Sequence, residues 1–575
     1  MPTDSPKAAP AEPAQIPRVP PSPTAVPKPK PAPQDGGIKE TLESILIAFI
    51  LAFIFRAFVV EAFVIPTGSM APTLMGAHMR FRCPDCGYRF DVNYPTDSEG
   101  DDMNIPSQAG PIRVVDGTRI VNGQRVVMSH IESVNFNVYC PNCGYKIDRE
   151  NPTDEEDTSE NSPVYYGDRI LVLNYLYLFR DPQRWDVVVF KNPNDPTHLY
   201  QTNYIKRLIG KPGESIMILD GNVYIADNGG SQVSDFTVQT KPRWAQEALW
   251  RIVYDNDYYP RGRQRSDGQQ WVQPWQEKEE GTGWNLGDAN SVQRVFKFDN
   301  TSGTSTLTFN RDANPNQQAL TDWVAYDVTG AQAPTPVSDL KLNCFYQRSS
   351  GDGPLRLQLT KRDDQFTAEI YPDHVAILHS HAGGSPIAVG DSVAISPSSS
   401  AMHIEFSNID YQVTLRVGDR DLIQTTPQQY HPDIPALLEE YRNGLPAPPP
   451  TVQISAARQL CVLSHVSLWR SVYYTTNEAH NSMTWAIPKN FPRHVVHLGK
   501  DEFFVLGDNS AISGDARYWT IPVELPDENL FCEPGRVPGR FMLGKAFFVY
   551  WPAGFRPISG APSIVPDFGD MRFIH

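Results

Sequence analysis

The sequence is short of several things. Seven cysteines in 575 residues are too few for a disulfide-built scaffold. Positive charge is in deficit, with 50 Lys and Arg against 66 Asp and Glu and a formal net charge of −16. That balance argues against nucleic acid as a partner. There is no phosphate-binding glycine loop and no paired-carboxylate motif, and the 13 histidines are scattered. His78, a lone histidine in an expected loop, should be solvated. No internal repeat is visible beyond two cysteine knuckles. Long apolar runs are missing except one, Ile45 to Phe55. Because that run starts so far in, no cleavable signal peptide is expected at Met1.

What is present begins with that run. Eleven clean apolar residues, Ile45 to Phe55, are short of the ~20 a membrane span needs. Taken from Thr41 to Ile65, with Arg56 and Glu61 inside it, the stretch would make a helix about 37 Å long. Arg56 could snorkel to the interface. The expectation is one transmembrane helix over 41–65, with a buried soluble helix as the competing reading. Residues 1–37 are rich in Pro, Ala and Lys and read as a disordered tail. Up to residue 39, Lys7, Arg18, Lys28, Lys30 and Lys39 outnumber Asp4, Glu12 and Asp35, which leans toward a cytoplasmic N-terminus.

Directly after the run comes Ile65-Pro66-Thr67-Gly68-Ser69-Met70-Ala71-Pro72-Thr73-Leu74. A Ser between Gly and Pro belongs on a constrained turn. Far downstream, Lys206 sits among Tyr204, Ile205, Leu208 and Ile209. An apolar setting lowers the pKa of an amine and fits it to act as a general base. Ser with neutral Lys is one way to activate a hydroxyl without His. An acyl-transfer site also needs oxyanion donors, and the Ser69 N–H is the first candidate.

At these residues the chain resembles the bacterial type I signal peptidases, membrane-bound Ser-Lys endopeptidases. The matching blocks are Glu61 to Leu74, Gly167 to Val172 with Asn174, Tyr204 to Gly213, and Gly507-Asp508-Asn509 through Ser513, Asp515 and Arg517, followed by Gly544 to Trp551. The resemblance implies Ser69 as nucleophile and Lys206 as base. It implies Thr67 as second oxyanion donor, Ser513 as orienter of the Lys, and an Asp515–Arg517 ion pair in support. Arg207 is expected to pair with an acid. Ser510 and Ala516 depart from the family pattern of Arg and Ser, and are expected to weaken the surroundings of the site. The implied substrates are secretory precursors with small residues at −1 and −3. The implied location is the inner membrane, single-pass, with the N-terminus cytoplasmic and the catalytic domain outside. Partners would be the bilayer and the secretion machinery, with no nucleic acid and no catalytic cofactor. The implied catalytic core is antiparallel β, discontinuous over 66–80, 163–231 and 496–575.

Two inserts interrupt that core. Residues 81–150 carry Cys83-Pro-Asp-Cys86-Gly-Tyr and Cys140-Pro-Asn-Cys143-Gly-Tyr. Paired Cys-x-x-Cys knuckles point to a structural zinc ribbon, while an oxidising compartment would allow two disulfides instead. A long hairpin is expected between the knuckles, from 106 to 135. Residues 151–162 read as an acidic linker. Residues 232–495 show many short alternating segments separated by turns, resembling a concanavalin-like β-sandwich. Cys344, Cys461 and Cys532 read as buried small apolar residues. The expected fold is therefore mainly β, with an N-terminal transmembrane helix, a β catalytic core, a zinc-ribbon-like insert and a β-sandwich insert. Two other readings stand beside the peptidase. One is a membrane-anchored binding protein with a decayed site. The other is a self-cleaving repressor-like protein, disfavoured because no DNA-binding segment is seen.

Overall fold

Val187–Lys191 sends Val188 and Phe190 into one apolar cluster and Val187 and Val189 into another. Both faces are covered, which is why its apolar run is continuous rather than alternating. The strand lies mid-sheet in a computed structural model that describes residues 41–50, 60–94, 112–121, 124–133, 138–147, 164–230, 232–262, 270–279, 281–287, 294–310, 312, 320–327, 334–474, 495–554 and 566–574. These are mainly β. The proline-rich tail and the acidic linker lie outside the described residues.

The chain divides into Met1–Arg56 and Ala57–His575. In the first unit residues 41–50 are helical and exposed. Residues 51–59 lie outside the described residues. No helix among the described residues is long and apolar enough to cross a membrane. The helix expected to reach Ile65 does not do so, because Val60–Val64 is a strand paired antiparallel with Arg169–Leu173. Val60, Phe63 and Val64 are β-branched or aromatic and suit a pleated edge. Glu61 there accepts a 2.9 Å hydrogen bond from Asn174 Nδ2.

In the second unit an eight-stranded sheet runs in the order Val60–Val64, Arg169–Leu173, Met542–Trp551, Val187–Lys191, Asn203–Gly210, Glu502–Leu506 and Val537–Pro538, with Arg572–Phe573 beside Met542–Trp551. A four-stranded sheet packs near it, built on the hairpin Ser215–Leu219/Asn222–Ala226. Its turn places Asp220 at φ 49° and Gly221 at φ 73°, the two left-handed residues that suit the twist of a tight hairpin.

Most of the described strands of 232–495 join one fourteen-stranded sheet around an apolar core. Its spine is the 19-residue strand Val452–Arg470. That strand pairs with Arg251–Asp255, Val295–Phe309, Leu340–Gly351 and Leu355–Lys361. Arg458 (φ 43°) and His465 (φ 52°) sit at register shifts, where an extra residue bends a strand. Cys344, Cys461 and Cys532 are buried.

Between the two cysteine knuckles Ile112–Val121 pairs with Gln124–Ser133, the long hairpin expected there. His78 is not in a solvated loop. It lies fully buried on the strand His78–Arg82, with Nδ1 2.7 Å from Gly76 O.

Candidate active site

Sheet register brings the distant blocks together. Lys206 stands opposite Val188 on one side of its strand. On the other side Arg207 stands opposite Leu506, so Gly507, Asp508 and Asn509 continue past it. Arg207 then grips Asp508 with two 2.7 Å hydrogen bonds, from Nε and Nη2, across 301 positions. Its Nη1 donates to Trp185 O at 2.7 Å. Both partners are fully buried. This is the acid expected for Arg207.

Ser69 sits in a one-turn 3-10 helix, Gly68–Met70, anchored by the buried side chains of Met70 and Leu74. In a 3-10 turn the first N–H groups have no intrahelical acceptor, so the Ser69 N–H is available to a ligand. Thr67 precedes the turn in extended geometry (φ −118°, ψ 158°), with no side-chain hydrogen bond to it. Lys206 Nζ lies 2.8 Å from Ser69 Oγ and 3.0 Å from Ile205 O. Ser69 is 9% exposed and Lys206 5%. Burial pulls the Lys206 amine down from 10.5 to about 8, against the opposing pull of Asp515 and Asp508. An amine so placed can lose its proton near neutral pH and accept one from the hydroxyl beside it.

The Gly507–Arg517 segment wraps this pair. Asn509 N donates to Ser69 O at 3.1 Å. A Cβ on Gly507 would lie 2.1 Å from Ser513 Oγ and 2.6 Å from Ser69 O, so only glycine fits. Asp515 accepts from Gly507 N at 2.8 Å and binds Arg517 at 2.7–2.8 Å, both side chains being fully buried. Ser510 does not loosen this arrangement, contrary to expectation. Its Oγ and O accept from Arg517 at 2.8 and 3.0 Å. Ala516 is buried in the core beside it. Ser513 Oγ is buried and has no hydrogen-bond partner among the described residues, so the expected bond to Lys206 is not formed.

The four knuckle cysteines converge. Cys83 Sγ is 3.6 Å from Cys143 Sγ, and Cys86 Sγ is 3.6 Å from Cys140 Sγ. All four sulfurs lie within 4.8 Å of one another. Each knuckle closes by Gly N–H to the first Cys O, at 2.8 and 2.9 Å, with Gly87 at φ 80° and Gly144 at φ 69°. A disulfide needs sulfurs about 2.05 Å apart. Thiolates around a tetrahedral metal at about 2.3 Å stand about 3.8 Å apart, so the donor set fits a metal ion.

Sequence reading missed the residues that reach the Ser69 turn from 232–495. Arg251 Nη2 donates to Ala71 O at 2.8 Å and to Asp508 O at 3.0 Å. Asp327 accepts from Asn509 Nδ2 at 2.7 Å. A cavity of about 290 Å³ is walled by Ala71, Pro72 and Met75 together with Trp250, Trp323 and Tyr326.

The family described as "Signal peptidase, peptidase S26" matches residues 38–91 and 151–292, less than half of the chain. The chain is 30% identical over 112 residues to "Probable signal peptidase I-2" of Synechocystis sp., covering 19% of this chain and 49% of that protein. It is 43% identical over 60 residues to "Signal peptidase I" of Rickettsia prowazekii, covering 9% of this chain and 21% of that protein. The chain thus spans about half the length of the first relative and a fifth of the second. Among solved structures, a carbohydrate binding module, CBM66 from Bacillus subtilis, covers 34% of this chain and 94% of its own at 10% identity, with a TM-score of 0.21. That likeness is too slight to carry an argument.

Proposed function

We propose that the chain is a membrane-anchored serine endopeptidase that removes signal peptides from secretory precursors, with Ser69 as nucleophile and Lys206 as general base. The observation that carries this reading is the 2.8 Å approach of Lys206 Nζ to Ser69 Oγ, with the amine's pKa pulled down to about 8. Neutral Lys206 takes the Ser69 proton as Oγ attacks the peptide carbonyl. The resulting oxyanion is met by the Ser69 N–H and the Thr67 hydroxyl. Lys206 then returns the proton to the departing amine. A water molecule, deprotonated by the same Lys, hydrolyses the Ser69 ester and regenerates both groups. The Arg207–Asp508 and Asp515–Arg517 pairs are the supporting frame. The apolar run Ile45 to Phe55 supports membrane anchoring; placement at the inner membrane with the catalytic unit outside rests on the family likeness and the basic excess of the N-terminal tail. Small residues at −1 and −3 of the precursor follow from the family likeness alone. The same reading assigns a structural zinc to Cys83, Cys86, Cys140 and Cys143, supported by their 3.6 Å sulfur spacings.

The test is cleavage of a precursor with a small-x-small signal peptide by detergent-solubilised full-length protein. Wild type should cut at the junction, and Ser69→Ala and Lys206→Ala should not. Cleavage that persists in Ser69→Ala would overturn the reading.

A further inference from the structure

The carbonyls of the Ser69 turn are held from outside the turn. Asn509 Nδ2 faces Gly68 O at 3.4 Å, and Asn509 N donates to Ser69 O at 3.1 Å. Arg251 takes Ala71 O. Asn509 is 2% exposed, so its amide orientation is set by its protein partners. The shorter of its two amide contacts is not to the turn but to Asp327 Oδ1, at 2.7 Å. Next to Asp327, Tyr326 lies against Gly68 so closely that a Cβ there would come within 2.5 Å of the ring. Tyr326 packs with Ala71 and Met75, and its carbonyl accepts from Asn93 N at 2.8 Å. The region 232–495 therefore touches the turn through a braced strip, Tyr326-Asp327.

We infer that Asp327 is a positioning residue for Ser69, acting through Asn509. This rests on the Ser69–Lys206 reading above. The carboxylate is an acceptor only and holds Nδ2 toward itself. That fixes the side-chain amide and its contact to Gly68 O, one residue before Ser69, beside the backbone bond from Asn509 N to Ser69 O. A hydrogen bond to a charged acceptor is short and strong. The groups facing Asp327 are the cations Arg251 and Arg470 and the neutral amide of Asn509. A nucleophile must be held to a fraction of an ångström, and a 1 Å displacement costs on the order of a hundredfold in rate. The insert is thus part of the catalytic apparatus.

The experiment measures kcat and KM on the precursor for full-length wild type, Ser69→Ala, Asp327→Ala, Asp327→Asn and Asp327→Glu, with Tm recorded for each. Asp327→Ala should lower kcat by about tenfold or more, with KM within about twofold. Asp327→Asn keeps an oxygen facing Asn509 Nδ2 and should recover kcat to within about threefold of wild type. Asp327→Glu keeps the charge but moves the acceptor, and should behave like Ala. If Asp327→Ala does not fold, the Glu and Asn variants decide. Wild-type kcat in the Ala or Glu variant, equal losses in Asn and Ala, or a change in KM alone would each overturn the inference while leaving Ser69 and Lys206 in place. Failure of wild type to cut, or cutting by Ser69→Ala, would overturn the peptidase reading and this one with it.

Discussion

Lys206 offers a test in which one number governs both rate and stability. Its amine is pulled from 10.5 to about 8 by burial. At pH 7 about a tenth of it is neutral, and at pH 9 about nine-tenths. If neutral Lys206 is the base, kcat/KM should rise about tenfold between pH 7 and pH 9 and then level. An ordinary lysine would instead give about a hundredfold rise over the same range and no plateau. The same pull is a burden on the fold. A lysine whose folded pKa is lowered penalises the native state while it is protonated, and the penalty lifts as pH rises from the folded toward the unfolded value. The drop is worth about 3 kcal/mol at pH 7, and about 1.3 kcal/mol of that is relieved by pH 9. Lys206→Met removes the charge but also two hydrogen bonds, to Ser69 Oγ and Ile205 O, worth about 1 kcal/mol each. The inactive variant should therefore be more stable than wild type by about 1 kcal/mol at pH 7, and lose that advantage by pH 9. Precursor cleavage across pH 6–10.5 and denaturant melts at pH 7 and 9 read the two effects. A flat pH–rate profile, a rise that continues past pH 10, or cleavage by Lys206→Met would refute the reasoning.

Removing half of the Arg207–Asp508 pair strands a buried charge. Arg207→Ala should cost about 3–5 kcal/mol, read as an early unfolding transition in a thermal melt. Gly507→Ala should force Ser513 or the Ser69 carbonyl to move, lowering cleavage by on the order of a hundredfold while leaving far-UV circular dichroism unchanged. Elemental analysis of protein purified without added chelator should find one zinc per chain, and Cys86→Ser should abolish it. The presence of disulfides, read by thiol titration under denaturing conditions, would count against the metal.

Ser69 and Lys206 were legible because each lies in a short local block whose residue types limit its conformation. The meeting of Arg207 with an acid was legible as a need, but not as Asp508, since the pairing depends on which strand borders Asn203–Gly210. Ser510 misled for a related reason. A serine in place of arginine looks like a loss until Arg517 is seen to use both its hydroxyl and its carbonyl. In the sequence Val60–Val64 continues a helical reading, because an apolar run too short to show a period does not distinguish helix from strand. Asp327, Tyr326 and Arg251 could not be read at all. They sit in a region whose alternation describes its own sheet, and their contacts with the Ser69 turn or with Asn509 arise only from packing between distant parts of the chain.

The 301 positions between Arg207 and Asp508 also set a clock. During synthesis at about 5–20 residues per second, the Lys206 strand emerges roughly 15 s to a minute before the segment that braces it. For that interval the nascent chain carries both Ser69 and Lys206 without the ion pair, without Asn509 on the turn, and without the strand Glu502–Leu506 that borders the lysine. Arg251 and Asp327 emerge within the same window, ahead of the Asp508 and Asn509 they contact. On the proposed reading, the Ser69–Lys206 pair therefore stays unbraced until the Gly507–Arg517 segment has been made.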